Sequence, residues 1–200
     1  MDADSRRHDG PAGNERLTAW TGATLLVLLA VEGVTIVALG TLVVPHIVIG
    51  MLLVGPVALK LASTTYRFTR YYRHDPDYRR AGPPAPLLRV LGPVVVLTSV
   101  AVLATGVALL YVPAASRPDV FVLHKLSFIV WFVAMTIHVL AYVGRLPRLL
   151  AGDMAPRVRA VRGRGRRLGA LAASLVVGAV IAAVTYHLAT PWSHGTFLHG

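Results

Sequence analysis

Two histidines, His124 and His138, lie fourteen positions apart in the apolar segment LHKLSFIVWFVAMTIHVL, residues 123–140. In an α-helix, fourteen steps return to within about 40° of the starting direction and rise about 21 Å. The two imidazoles are therefore expected on one side of one helix, at two depths. Holding an imidazole in the apolar core of a bilayer is costly unless it is bonded, so both residues are candidates for a functional site.

A second apolar segment repeats this spacing, because Lys60 stands fourteen positions after His46. Both segments are predicted to cross the membrane in the same direction, so positions along them can match in depth. His46 is then expected opposite His124, and Lys60 opposite His138. The pattern predicts two facing polar pairs, a His–His pair near the outer surface and a Lys–His pair deeper in the membrane.

Iron in a b-type haem is a natural partner for two facing imidazoles, because neutral imidazole supplies an axial bond and the porphyrin fills apolar space between helices. A third apolar segment carries Gly92 and Gly106, again fourteen positions apart. At such positions the missing side chain lets a flat ligand or another helix approach closely.

The composition is that of a membrane protein, with 55% hydrophobic residues and a mean hydropathy of +0.62. Several segments reach the roughly 20 apolar residues that cross about 30 Å of hydrocarbon, and irregular backbone cannot face lipid. The sequence therefore predicts an all-α fold, an integral membrane bundle of five transmembrane helices. Its predicted parts are a disordered cytoplasmic tail over 1–16, helices over 17–43, 46–66, 87–112, 120–143 and 168–189, and a short outer tail over 190–200.

The arginines are distributed unevenly between the connections. Segments 1–16, 63–86 and 144–167 contain many of them, whereas the connections on the opposite side contain only Arg117. Because basic connections stay on the cytoplasmic side, we expect a multi-pass protein of the cell membrane with a cytoplasmic N-terminus and its C-terminus outside. The basic run over 157–167 is then interpreted as an anchor to lipid headgroups rather than a nucleic-acid site, although the net charge is +11.

The chain contains no cysteine. This excludes disulfides, thiolate metal sites and covalent CxxCH haem attachment, so any cofactor must be held by histidine, carboxylate or non-covalent packing. No nicotinamide, flavin or nucleotide fingerprint is present, and an electron-transfer subunit is therefore expected rather than a complete enzyme.

Charged groups inside the predicted spans are few. Glu32 is the only acidic residue in the middle of a span, and counting from the outer ends of the first two spans puts it within about one helical turn of Lys60 in depth. We expect a Glu32–Lys60 ion pair, which lowers the cost of burying both charges and competes with Lys60 as an iron ligand. Lys125 adjoins His124 and either reaches a haem propionate or extends to the interface.

The remaining histidines near the spans are open to several interpretations. With Lys60 paired to Glu32, His138 is a lone hydrogen-bonded histidine, a member of a proton relay or a quinone-site residue. Three histidines at or beyond the end of the last span are expected to be solvated, because an exposed tail does not preorganise a metal site. One of the three has a depth that makes it a rival of His46 as a ligand; they are His187 (the rival), His194 and His199.

The histidine spacing on two helices of a membrane bundle, with glycines on neighbouring helices, resembles the diheme cytochrome b of quinol-oxidising complexes. The broader group includes the membrane cytochrome b subunits of hydrogenases and formate dehydrogenases. The resemblance covers residues 46–143 and rests on spacing and topology. It implies electron transfer across or along the membrane through haem b, with quinone or a redox partner protein as donor or acceptor.

Lys60 departs from the pattern of this family, which calls for a fourth histidine there. We therefore expect one haem b rather than two, with His46 and His124 as the iron ligands. The residues expected around the cofactor are His46, His124, His138, Lys60, Lys125, Gly92 and Gly106.

Two other functions fit the same residues. A cofactor-free accessory or structural subunit, in contact with membrane lipid alone, needs none of them for chemistry. Proton or solute transport would instead use Glu32, Lys60 and His138, because buried ionisable groups also mark such pathways.

Overall fold

The computed structural model describes residues 3–80, 86–154 and 163–194, and within these ranges the chain forms helices and no strand, which confirms the all-α fold class. The helices are α1 (Ala3–Val37), α2 (Leu39–Tyr72), α3 (Pro76–Arg80), α4 (Pro86–Tyr111), α5 (Arg117–Tyr142), α6 (Leu146–Met154) and α7 (Arg164–Ala189). Short 3₁₀ turns cover Ala114–Ser116, Val143–Arg145 and Thr190–His194.

Five helical segments are long and apolar enough to cross a membrane, as expected of a multi-pass membrane protein. They are Gly10–Val37, Leu39–Tyr72, Arg89–Tyr111, Ala114–Met154 and Arg164–Trp192. The last three agree with the predicted spans within a few residues at their apolar parts. The first two differ in where the chain reverses direction.

The turn between α1 and α2 lies at Ala38, earlier than the predicted boundary between 43 and 46. The first turns of α2 contain a kink, where Leu42 has non-helical dihedral angles (φ −113°, ψ 21°). Pro45 accounts for this kink, since a proline lacks the amide proton of the helical ladder and its ring clashes with the carbonyl four residues earlier, that of Thr41. The shift of the turn changes which residues of the two helices lie at the same depth.

The segment 3–16, predicted as a disordered tail, is instead the start of α1. Asn14 Nδ2 donates to the carbonyl of Ser63 on α2 at 3.1 Å, and Arg16 Nη1 donates to the carbonyl of Leu149 on α6 at 3.4 Å. Gly10, Pro11 and Gly13 made the segment look disordered, but these tertiary contacts hold it in a helix. The predicted outer tail begins with the 3₁₀ turn Thr190–His194, and residues 195–200 lie outside the described ranges.

The helices form two groups. α2 packs extensively against α1 and α7, and α4 packs against α5 as an antiparallel hairpin. The two groups meet mainly where α2 touches α4, with far fewer contacts than either group has internally. α2 and α5 therefore belong to separate helix groups.

The crossing of α2 and α7 depends on two glycines. A Cβ added to Gly55 would overlap the backbone carbonyl of Ser174, and one added to Gly178 would overlap the carbonyl of Leu52. Ser174, Gly178 and Ala182 are buried at four-residue intervals on α7. Small residues with this spacing let membrane helices approach at backbone distance.

Gly178→Ala is expected to destabilise the protein by about 1–3 kcal/mol, because the new methyl group meets a helix backbone that cannot rotate away. The matched control is Gly169→Ala on the same helix, where a Cβ has nothing within 4 Å. Unfolding in mixed detergent micelles measures the stability of both variants. Equal stability of the two variants would contradict close α2–α7 packing.

A buried carboxylate ties α6 to the bundle. Asp153 is fully buried, with 0% of its surface exposed. Trp20 Nε1 on α1 donates to Asp153 Oδ2 at 3.0 Å, and Arg167 Nη2 on α7 donates to Asp153 Oδ1. Arg16 Nη1 lies 3.8 Å from the same oxygen. The distribution of arginine placed Arg16 and Arg167 on the cytoplasmic side and did not indicate the acid that joins them.

Asp153→Asn is expected to cost about 3–5 kcal/mol of stability, because it removes the negative charge from beside the buried Arg167. Glu15→Gln is the control, because Glu15 is an exposed acid on α1, one residue before Arg16. The comparison uses unfolding in the same micelles. A loss of similar size in both variants would show that Asp153 does not have this role.

Candidate functional site

His46 is held from α1 by two side chains. Glu32 Oε1 lies 3.0 Å from His46 Nδ1, and Thr35 Oγ1 lies 3.1 Å from the same nitrogen. Glu32 and Thr35 are both buried, with 8% and 4% of their surfaces exposed. One ring nitrogen of His46 therefore faces two polar partners.

The hydrogen bonds of Thr35 indicate which nitrogen of His46 carries the proton. A hydroxyl has one proton to donate. Thr35 Oγ1 lies 2.6 Å from the Glu32 carbonyl and 3.2 Å from Glu32 Oε2, so both of its oxygen acceptors belong to Glu32. Once that proton is given to Glu32, the Thr35 oxygen accepts from His46. We assign the proton to Nδ1 on this basis, which leaves the lone pair of the ring on Nε2.

His124 on α5 has a similar arrangement with α4. Thr105 Oγ1 donates to the Ala101 carbonyl at 2.8 Å and lies 3.0 Å from His124 Nδ1. The hydroxyl proton is again directed to a carbonyl, so Nδ1 of His124 is assigned as the donor and Nε2 holds the lone pair. Among the described residues, every side-chain hydrogen bond to these two imidazoles engages Nδ1.

Gly106 makes room for the His124 ring. A Cβ at this position would stand 3.1 Å from His124 Cε1. Gly92, the other glycine of the predicted pair, has nothing within 4 Å of an added Cβ. Close approach to a neighbouring side chain therefore occurs at Gly106 and not at Gly92.

The residues of the two predicted levels lie on helices of different groups. His46 and Lys60 lie on α2, and His124 and His138 lie on α5. All four side chains are partly buried.

Glu32 and Lys60 do not form the predicted ion pair. Lys60 Nζ donates instead to the carbonyl of Thr18 at 2.8 Å, whereas the Glu32 carboxylate contacts His46. Thr18 and Glu32 are fourteen residues apart on α1, which is about 21 Å along a helix. The prediction was wrong because it placed the end of α1 and the start of α2 too late in the chain. With the turn at Ala38, Glu32 falls beside the beginning of α2.

The remaining predicted residues lie apart from this arrangement. Lys125 is exposed, with Nζ 5.4 Å from the centre of the Phe121 ring, as expected of a side chain that extends to the interface. His138 stacks 4.9 Å from the Tyr142 ring. His187 is exposed, with Nδ1 2.9 Å from the carbonyl of Val184 on its own helix, so it is not placed as a rival of His46. The side chains of His194 and His199 lie outside the described part.

Sequence reasoning missed Thr35 and Thr105 as partners of the two histidines. Thr105 and His124 are equally distant from the middle of the turn between α4 and α5, and this symmetry in the sequence could have indicated their contact. Thr35 and His46 lie three and eight residues from Ala38, so no such symmetry marks their contact in the sequence.

No protein-family model, curated protein or solved structure matches this chain. The described residues contain no group of three or more histidine, cysteine or acidic side chains placed to hold a metal ion. Two facing imidazoles fit a haem iron in particular, because the porphyrin supplies the four other ligands and the protein needs to supply only the axial ones.

Lys60→Met and Glu32→Gln are expected to lower stability by amounts that add to within about 0.5 kcal/mol in the double variant, because their side chains have separate partners. Unfolding of the two single variants and the double variant in detergent micelles measures the coupling. Recovery of stability in the double variant would instead indicate an ion pair between the two residues.

Proposed function

We propose that this chain is a membrane electron carrier that binds one haem b between α2 and α5, with Nε2 of His46 and Nε2 of His124 as the axial ligands. The observation that carries the proposal is the matching contact of the two rings. Each Nδ1 lies within hydrogen-bonding distance of a threonine hydroxyl on the neighbouring helix. With the proton assigned to Nδ1, the lone pair of each ring lies on Nε2. Histidines that bind metals have this second-shell arrangement, in which the other nitrogen is fixed by a hydrogen bond.

The packing of the helices supports the same proposal. His46 and His124 belong to different helix groups, and these groups share few contacts. Two imidazoles carried by separate helix groups suit a flat ligand that is held from two sides. When bound, haem b supplies one-electron chemistry, while the chain orients the imidazoles and keeps water away from them.

A single haem is favoured over two. At the level of His138, the Lys60 amine donates to the Thr18 carbonyl at 2.8 Å, so its nitrogen is held against α1. His138 then keeps the open roles of a hydrogen-bonded histidine or a quinone-site residue.

The setting of this function is a cell membrane, with the N-terminus on the cytoplasmic side as the distribution of arginine predicts. Because the chain lacks a nucleotide fingerprint, its electrons would come from quinol or from a redox partner protein and leave by a similar route. The chain would then act as a subunit rather than as a complete enzyme.

Proton or solute transport is the second candidate, and the buried contact between Glu32 and His46 is the observation in its favour. Transport through Glu32, Lys60 and His138 needs polar groups that follow one another across the membrane. Glu32 lies on α1, and Lys60 contacts Thr18 of the same helix, about 21 Å away along the helix axis. This separation favours haem binding over the transport pathway.

The purified protein, expressed with haem available, is expected to show a b-type Soret and α band in the difference spectrum between dithionite-reduced and oxidised samples. His46→Ala and His124→Ala should each lose most of this absorbance, because removal of one axial ligand leaves the iron five-coordinate and weakly held. His187→Ala is the control, because this exposed histidine lies near the same end of the bundle. No b-type band in the wild type, or an equal loss in all three variants, would refute the proposal.

A further inference from the structure

The two proposed iron ligands have unlike partners. Thr105, a neutral hydroxyl, is the side-chain partner of His124 Nδ1. His46 Nδ1 faces the hydroxyl of Thr35 and, in addition, the carboxylate of Glu32 at 3.0 Å. The haem proposed above would therefore be held by one ordinary histidine and one histidine with an acidic partner.

We infer that Glu32 is a positioning residue that makes His46 the stronger of the two ligands and lowers the midpoint potential of the haem. This inference rests on the proposed function. A carboxylate that accepts the Nδ1 proton draws that proton away from the ring and leaves more electron density on Nε2. A more electron-rich ligand stabilises the oxidised iron, which carries one more positive charge than the reduced iron.

The position of Glu32 is set by more than one contact. Its Oε1 atom lies beside His46 and would be 3.5 Å from a Cβ added at Gly50, one helical turn further along α2. Its Oε2 atom is 3.2 Å from the Thr35 hydroxyl. The carboxylate is thus held against the face of α2 that presents His46, next to Gly50.

Burial increases the effect that this carboxylate can have. Only 8% of Glu32 is exposed, and charges interact more strongly away from water. Among the described residues, His46 is the only basic side chain in an ion-pair contact with Glu32. The field of the carboxylate is therefore directed at the ligand and the metal behind it rather than neutralised by an arginine or lysine.

The test is a redox titration of the haem-loaded protein in detergent, with dithionite and ferricyanide, in the wild type and in Glu32→Gln. Glutamine keeps the size of the side chain and an oxygen that can accept from Nδ1, but it removes the charge. We expect the variant to retain haem and to have a higher midpoint potential. The expected change is at least tenfold in the equilibrium between reduced and oxidised haem, which is about 59 mV for one electron.

Asp119→Asn is the matched control, because Asp119 is an exposed acid on α5 and its charge is screened by water. Its midpoint potential should stay near the wild-type value. A potential of Glu32→Gln that equals that of Asp119→Asn would overturn the inference while leaving the haem proposal intact. A wild-type protein without haem would overturn the proposed function itself.

If Glu32→Gln does not accumulate, Glu32→Asp takes its place. Aspartate keeps the charge but is one methylene shorter, so its carboxylate stands further from His46 Nδ1. Its midpoint potential is expected to move upward by less than the glutamine variant would, and electron paramagnetic resonance of the oxidised haem should show a changed axial ligand field. A wild-type potential and spectrum in this variant would refute the role of Glu32.

Discussion

The register of α1 against α2 decides which polar side chains meet inside this bundle. A buried polar group in lipid needs a partner, and an antiparallel hairpin offers each residue only those neighbours that lie at the same distance from the turn. With the turn at Ala38, Thr35 and Glu32 reach His46, and Thr18 reaches Lys60. A turn several residues later would have separated Glu32 from His46 and deprived the imidazole of both partners.

The same constraint explains the contrast between the two ends of the hairpin. Near the turn, Glu32 and Thr35 both contact Nδ1 of the His46 imidazole. Towards the other end, hydrogen bonds join the side chains to each other and to backbone carbonyls; they involve Asn14, Thr18, Lys60 and Ser63. Those contacts stabilise the hairpin.

Two kinds of packing hold the helix groups that carry the histidines. Close approach at Gly55 and Gly178 fixes α7 against α2, and the buried Asp153 fixes α6 to α1 and α7. The hairpin of α4 and α5 has its own contacts, among them Trp131 Nε1 to Ser99 Oγ at 3.0 Å. Each helix group therefore has packing contacts of its own, apart from those that join the two groups.

The sequence by itself determined the all-α class and the positions of the later spans. These follow from hydropathy and from the fixed rise of a helix, which depend on residues close together in the chain. Tertiary structure decided the partner of Glu32, the glycine crossing and the role of Asp153. The stretch around Ala38 is almost entirely apolar, so hydropathy has no minimum that marks the turn there. Contacts between helices depend on that turn and on backbone approach, and neither leaves a periodic signal within one helix.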